Sequence, residues 1–245
     1  VPEPPPAELQ QIGPGQLVLR TFRIDAKAVA TLRRALDEVP ETGGSLVLDF
    51  RGAVGGTLDD AVKFADLLLG DGQTIVTVRG RRAEEGNQLV DRSEPIKPDL
   101  AVVVLVDRGT AGAAEVVAGA LQDHDRAAIV GETTFGRGGR LSFFPLGNGT
   151  SIQLLTEVWQ TPSGRVIQRF ATQPDPDGTD TLPDRPQFRT DGGRTVLGGG
   201  GVVPDREIAA EAEPSRSGDT ALEEARRLLS RASNRKALIA ALSAN

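Results

Sequence analysis

The chain has 245 residues, enough to bury a core in one large domain or two small ones without disulfides or metals. It contains no cysteine, which excludes disulfides, thiolate metal sites and cysteine nucleophiles. The net charge of −6 and the dispersed basic residues argue against a nucleic-acid-binding protein, and no apolar run reaches the ~18 residues of a membrane span.

Strands and helices alternate in the first half of the sequence. Residues 1–15 are rich in proline and polar residues and are interpreted as a linker or extended arm. The predicted strands and helices that follow are strands at 16–22, 43–52, 74–81, 100–107 and 126–132, and helices at 26–39, 57–70 and 113–123. This alternation indicates an α/β fold with βαβ units and a largely parallel sheet.

Three details of this half are specific enough to test. Asp25 is the predicted N-cap of the first helix. The apolar run 100–107 is typical of a strand buried on both faces. Residues 82–98 are polar and are expected to form a loop.

The pattern changes after residue 140. Segments 140–146, 150–160 and 165–170 predict strands joined by "GNG" and "PSG" turns, hence β-hairpins. Residues 172–195 are expected to form a loop, and 219–242 one or two helices. The glycine run "GGGG" (198–201) is interpreted as serving the backbone conformation and not as a phosphate-binding motif, because no helix follows where such a motif needs one.

The segment "VVVLVDRGTAGAAEVVAGALQD" (102–123) predicts a buried strand, a sharp turn and a helix of small residues. Enzymes of several folds place a nucleophile at such a turn. Here Gly112 and Ala113 occupy the turn. The sequence therefore has the backbone pattern of a nucleophile site without a reactive side chain.

Several segments together resemble one family. They are "LVLDFRGAVGGTLDDAVKFADLLL", "DRGTAGAAEVVAGALQDHDRAAIVGETTFGRGG", "WQTPSGRVIQ" and "GGGGVVPD". In this order, over roughly residues 16–230, they resemble the C-terminal processing proteases, also called tail-specific proteases or peptidase family S41. The resemblance implies an α/β (α+β), crotonase-like (ClpP/crotonase) protease core with a mixed sheet, β-hairpins and C-terminal helices.

The resemblance also implies a domain organisation. We expect an arm at 1–15, an S41-like protease core at 16–210 and a C-terminal helical tail at 211–245. Family members typically carry a PDZ domain before the core, and we expect none in this chain. A signal peptide is likewise not expected within it, although the family implies export to the periplasm, the cell envelope or the exterior.

The family's catalytic residues do not carry over to this sequence. The resemblance implies a serine nucleophile, a lysine base and a glutamine that supports the lysine. These positions hold Gly112, Arg137 and Leu141. Glycine has no nucleophile, arginine stays protonated in proteins and leucine forms no hydrogen bond through its side chain. We therefore expect a catalytically inactive homologue, a pseudoprotease. An active peptidase with an engineered or relocated site is the alternative.

Other polar side chains near the quoted motifs have simpler structural interpretations. Four hydroxyl residues are expected to form hydrogen bonds in turns or at a helix start: Thr110, Thr133, Thr134 and Ser163. His124 is interpreted as a surface or capping histidine. Glu115 is placed where a carboxylate interacts favourably with a helix dipole.

The backbone of the family's site is expected to persist. The resemblance implies an oxyanion hole formed by Gly55, Gly56 and the amides of Gly112 and Ala113, next to the cationic Arg137. We hypothesise that this pocket binds a protein or peptide, including a C-terminal carboxylate. The alternative is that Arg137 pairs with an acid such as Glu115 or Asp107 and fills the old site. No metal or cofactor is expected, and a homo-oligomer remains open.

Overall fold

The computed structural model describes residues 7–40, 42–81, 86–170, 185–208 and 219–243. The strands are β1 (Glu8–Gly13), β2 (Gln16–Arg20), β3 (Ser45–Asp49), β4 (Thr74–Gly80), β5 (Asn87–Val90), β6 (Ala101–Val106), β7 (Ala128–Gly131), β8 (Gly139–Gly147), β9 (Thr150–Gln160), β10 (Gln187–Arg189), β11 (Thr195–Leu197) and β12 (Arg206–Glu207). The helices are α1 (Ala26–Glu38), α2 (Leu58–Ala65), α3 (Ala113–Asp123), α4 (Thr220–Arg231) and α5 (Arg235–Ser243).

The main sheet has the strand order β1-β2-β3-β6-β7-β12. Its strands are parallel from β2 to β12, and β1 pairs antiparallel with β2. The prediction of βαβ units and a largely parallel sheet is confirmed. The predicted N-cap is also confirmed, because the Asp25 side chain accepts a hydrogen bond from the amide of Ala28 at 3.0 Å.

Helices cover both faces of this sheet. Leu48 and Val104 point toward α1, α2 and α3, whereas their chain neighbours Val47 and Val103 point toward α4 and α5. Since successive strand residues face opposite sides, burial of both sides requires a continuous apolar run. This is the physical reason for the sequence of β6. The residues predicted as a helical tail therefore include two helices that pack on the core sheet.

A second sheet has the strand order β5-β4-β9-β8 and is antiparallel throughout. The predicted hairpin at 140–160 is confirmed as β8 and β9, joined by the turn at Gly147–Thr150. The hairpin exposes large apolar side chains near its tip, and Phe143 is 68% exposed. No described helix is long and apolar enough to cross a membrane.

Three segments differ from the sequence-based expectation. Residues 8–13, expected to belong to an arm, form β1 and complete the edge of the main sheet. Residues 87–90, expected to be loop, form β5 on β4. Both segments are polar, and their strand conformation comes from backbone pairing with a neighbour that local composition does not reveal.

At residues 165–170 the sequence predicted a strand that the structure does not contain. Only an isolated bridge between Gln160 and Val166 forms, and the buried Arg165 holds the segment through its contact with Asp123. Residues 187–189 lie in the expected loop 172–195 and pair with residues 195–197, at and just after its end, as the small β10–β11 hairpin. Residues 1–6 of the arm, 82–85 and 172–184 of the loops, and the 210/211 boundary lie outside the described residues.

Helix α3 is buried along its whole length, which explains its small side chains. It packs between α2, β4 and the main sheet. A Cβ added at Gly119 would lie 2.7 Å from the Thr161 side chain, too close for a carbon atom. The helix is therefore held closely from all sides, and its first turn is positioned with it.

Two carboxyl groups meet at the edge of the fold, after α2 and β5. Asp91 is 1% exposed, and its Oδ2 atom has no donor in the described part of the chain. Burial raises the pKa of Asp91 to about 6, and the adjacent charge of Asp66 acts in the same direction. The folded state therefore favours a protonated Asp91.

We expect Asp91→Asn to remove a pH dependence of stability. Because the folded pKa lies above the unfolded value of ~3.9, protonated Asp91 stabilises the fold at low pH, and this contribution is lost as the pH rises through about 6. Between pH 4 and 7 the native chain should lose about 1–2 kcal/mol relative to the variant. Urea unfolding across this range measures the difference. Asp71→Asn, at an exposed aspartate, is the control. If the free energies of unfolding of the native chain and D91N change in parallel with pH, the raised pKa of Asp91 is contradicted.

Candidate active site

The predicted nucleophile turn joins the carboxyl end of β6 to α3. The Asp107 carboxylate accepts hydrogen bonds from the amides of Gly52 and Gly109, each at 2.9 Å. The Thr110 hydroxyl donates to the Phe50 carbonyl at 2.9 Å and accepts from the Asp107 amide at 3.0 Å. These bonds attach the turn to the end of β3. Thr110 is fully buried and engaged in the turn, as expected from its position.

Gly112 begins α3 with φ 72° and ψ −119°. This is a region of backbone space in which other residues are strained, and strand–turn–helix enzymes use such strain to expose a nucleophile. A Cβ added to Gly112 would meet no heavy atom within 4 Å. The position therefore retains the backbone of a nucleophile turn and the room for a side chain.

Glu115 connects this turn to the loop that holds the family's lysine position. The side chain is fully buried in the first turn of α3. Its Oε1 accepts hydrogen bonds from the Thr134 hydroxyl at 2.5 Å and the Gly136 amide at 2.7 Å. Its Oε2 accepts from the Gly112 amide at 2.9 Å and the Arg137 amide at 2.8 Å. One carboxylate thus holds both halves of the site together.

The contacts of Glu115 fix the geometry of the site. Because the amides of Gly112 and Arg137 bind the same oxygen, their nitrogen atoms are within about 6 Å of each other. Burial raises the pKa of Glu115, and the four hydrogen bonds oppose that shift. The Gly112 amide, expected to face an oxyanion, is instead occupied by Glu115. The amide of Ala113 has no carbonyl partner within α3, because it lies in the first turn.

The two glycines after β3 lie beside the turn. Gly55 and Gly56 have φ 93° and 94°, in the region that favours glycine. A Cβ on Gly56 would lie 2.0 Å from the Ile24 carbonyl oxygen and 3.2 Å from the Ala113 side chain. The structure therefore brings Gly56 and Ala113 together, as the resemblance implied for an oxyanion hole.

Arg137 and Leu141 occupy the other catalytic positions of the family. The Arg137 guanidinium lies over the Phe135 ring, 5.3 Å from its centroid, and forms no ion pair within the described ranges. The alternative in which Arg137 pairs with Glu115 or Asp107 is wrong in this structure, since only its backbone amide reaches Glu115. Leu141, on β8, is 49% exposed.

Arg137 and Leu141 both line an open cleft of about 1650 Å³. Its walls come from the 132–137 loop, the β8–β9 hairpin and the segment around residue 169. The cleft also contains arginines that the sequence did not single out: Arg108, Arg169 and Arg185. Arg108 lies inside a quoted motif but at none of its catalytic positions, Arg169 directly follows a motif, and Arg185 lies in the segment expected to be a loop.

The remaining candidates are used for structure. The Thr134 hydroxyl, fully buried, also accepts from the Val202 amide at 2.7 Å, and Thr133 lines the cleft. His124 ends α3, about 18 Å from Gly112 by helix rise. It is buried, not on the surface, and its ring nitrogens contact Asp191 and the Thr74 carbonyl, each at 2.7 Å.

Ser163 also lies at that far end of α3, where its amide donates to Asp123 at 3.0 Å. Neither Ser163 nor His124 can therefore reach position 112 in this structure. No three histidine or acidic side chains of the described segments cluster closely enough to hold a metal ion.

We expect Glu115→Gln to destabilise the protein strongly. The amide nitrogen of glutamine would face backbone N–H donors that need an acceptor, and these would be left unpaired in a buried site. The free energy of unfolding should fall by roughly 2–4 kcal/mol, measured by urea denaturation. Glu223→Gln, at an exposed glutamate in the first turn of α4, is the matched control. Equal losses in the two variants would contradict the role of Glu115.

Two glycine substitutions should lower the free energy of unfolding by clearly different amounts. Gly112→Ser should cost about 1–3 kcal/mol, because the new side chain has space and only the backbone is strained. Gly56→Ala should cost roughly 3 kcal/mol or more, because its methyl group collides with the Ile24 carbonyl. Thermal and urea unfolding compare the two variants. A Gly112→Ser variant less stable than Gly56→Ala would show that position 112 is not open.

Comparison with known proteins identifies the family. The model of peptidase family S41 matches residues 14–177, more than half of the chain. A carboxy-terminal-processing protease of Bartonella bacilliformis is 34% identical over 172 residues, covering 68% of this chain and 39% of that protein. A carboxyl-terminal-processing protease of Synechocystis sp. is 35% identical over 175 residues, covering 70% and 40%. The chain thus spans about 40% of the length of these relatives.

Solved structures agree with this assignment. The photosystem II D1 C-terminal processing protease has a TM-score of 0.60 and 28% identity, covering 87% of this chain and 46% of that one. A putative S41 protease from Bacteroides fragilis also has a TM-score of 0.60, covering 94% and 59%, and its 19% identity supports the fold alone. The mixed α/β architecture is therefore the one that the resemblance implied, and the chain belongs to peptidase family S41.

Proposed function

We propose that this chain is a catalytically inactive member of peptidase family S41 that binds proteins or peptides as a scaffolding or regulatory module. The observation that carries the proposal is Gly112 at the nucleophile turn. The turn keeps the strained backbone and the space of a nucleophile site, but position 112 supplies no oxygen. Acyl transfer through a covalent intermediate requires an oxygen or sulfur nucleophile at that point.

The neighbouring positions support the same conclusion. A general base must give up and accept a proton near the working pH, and arginine remains protonated there. Leu141 has no polar atom in its side chain with which to orient a base. The nearby hydroxyls of Thr110 and Thr134 are buried and fully engaged in hydrogen bonds. Neither of these two hydroxyls is therefore free to replace the missing nucleophile.

Binding remains chemically reasonable at this site. The Ala113 amide, the glycines at 55 and 56 and the Arg137 guanidinium are groups that attract anions. The relatives are named as proteases that process C-termini, so a polypeptide is the ligand class that the family favours. We further propose, by analogy with that family, that the protein is exported. A homo-oligomer is a second part of the proposal, and analytical ultracentrifugation tests it.

The test restores the missing chemistry. We expect the chain as it stands to leave fluorescein-labelled casein uncut, and the variant Gly112→Ser/Arg137→Lys/Leu141→Gln to cleave it. Gly112→Ser alone should be at least about 100-fold slower than the triple variant, because general-base catalysis contributes 10²–10⁴-fold. Release of labelled peptides, followed by fluorescence and mass spectrometry, measures all three proteins.

Two outcomes would decide against the proposal. The first is cleavage of casein by the unmodified chain, at a specific activity that stays constant through purification. This result would identify an active peptidase with a relocated site. Labelling of that chain by a fluorophosphonate would identify the relocated nucleophile. Gly56→Ala introduced into the triple variant is a useful control, because it should abolish cleavage by distorting the site without touching the restored residues.

A further inference from the structure

The large cleft beside the 132–137 loop has an unusual combination of walls. Leu141 and Leu155 are direct partners across β8 and β9, and they form an apolar strip. Leu197 and Val203 add further apolar surface from other segments. Four arginines line the same space: Arg108, Arg137, Arg169 and Arg185. The cleft thus combines apolar surface with guanidinium groups.

Among the residues that the structure describes, arginines outnumber acidic residues on the walls of this cleft. The acidic ones are Glu132 and Glu207, and Glu132 already pairs with Arg108 at 2.9 Å. Arg137 has no carboxylate partner in the described ranges and stacks on a ring. Four guanidinium groups and two carboxylates therefore line the described part of the cleft, which gives these walls a net positive charge.

The pKa values of the two deeper arginines are lowered mainly by burial. For Arg169 the charges of Arg185 and Arg108 act in the same direction as burial, and that of Glu115 opposes them. For Arg185 the charge of Glu207 opposes the effect of burial, and the guanidinium donates to the Gly200 carbonyl at 3.3 Å. Cations that repel one another in a partly buried space are stabilised by an incoming anion.

We propose that this cleft binds an acidic polypeptide segment, whose carboxylates pair with Arg137 and Arg185 while its apolar side chains pack on Leu141 and Leu155. A polypeptide fits better than a nucleic acid, because the cleft offers leucines where a nucleic acid would need open aromatic rings for stacking. Among the described lining residues the one aromatic ring is that of Phe135, and Arg137 lies over one of its faces.

The inference deepens the proposed function, and it rests on that function in one respect, since the bound segment is held and not cleaved. It differs from recognition of a C-terminus because the carboxylates are those of aspartate and glutamate side chains. A segment with blocked ends therefore binds as well as one with free ends. Bidentate pairing with carboxylates is the geometry that guanidinium groups favour.

Fluorescence anisotropy tests the inference on the full chain. The probe is a fluorescein-labelled twelve-residue peptide of alternating leucine and glutamate with an amidated C-terminus. Its partner has glutamine in place of every glutamate. The acidic peptide should bind at least about tenfold more tightly than the glutamine peptide at 50 mM salt, and its affinity should fall as salt rises.

The variants locate the site. Arg137→Gln and Arg185→Gln should each weaken binding of the acidic peptide about tenfold and leave the glutamine peptide unchanged. Arg227→Gln, at an exposed arginine on α4, should change neither affinity. Thermal unfolding confirms that each variant is folded. Equal binding of the two peptides, or full affinity in both cleft variants, would overturn the inference, as would tighter binding of a twelve-residue oligothymidylate.

The experiment distinguishes failure of the proposed ligand class from failure of the proposed inactivity. Mass spectrometry of the peptide after incubation shows whether it has been cut. A bound and cut acidic peptide supports the ligand class and contradicts the inactive site. An uncut peptide that does not bind contradicts the ligand class and leaves the inactive site standing.

Discussion

The site depends on one buried carboxylate. Glu115 accepts four hydrogen bonds, one from the Gly112 amide at the nucleophile turn and three from the loop that follows β7. These segments are far apart in sequence, and without an acceptor between them their amides would face each other unpaired. The carboxylate itself is held in place because α3 is buried on all sides. The architecture of the site is therefore a property of the core and does not require catalytic side chains.

Because the core and not the catalytic side chains determines the backbone geometry, a protease site can lose those side chains and keep its shape. The backbone at Gly112, the close approach of Gly56 to Ala113 and the loop at 134–137 are determined by packing and backbone hydrogen bonds. Position 112 has open space around an added Cβ, the Arg137 guanidinium lies over the Phe135 ring, and Leu141 is half exposed, so none of the three takes part in those contacts through a side chain. Their identity can change without repacking the core, so the same scaffold is compatible with catalysis or with binding.

Patterns within single segments were predictable from the sequence. The apolar run of β6, the Asp25 cap and the β8–β9 hairpin each follow from local chemistry. Pairing between distant segments was not, as β1 and β5 show: their polar sequences give no sign of the strands beside them. At the site, the motif spacing located Gly112 and Arg137. The fourfold role of Glu115 and the arginines at 169 and 185 depend on tertiary contacts, which no local pattern encodes.

The backbone conformation of Gly112 has a consequence for how such a site changes over time. A side chain at φ 72° carries conformational strain of about 1–3 kcal/mol, whereas glycine occupies this region freely. Exchange of a nucleophile for glycine is thus downhill in folding free energy, and the return is uphill. Once cleavage ceases to be selected, stability alone favours glycine at this turn. If the chain is inactive, as proposed, the folding free energy opposes the return of a side chain at position 112.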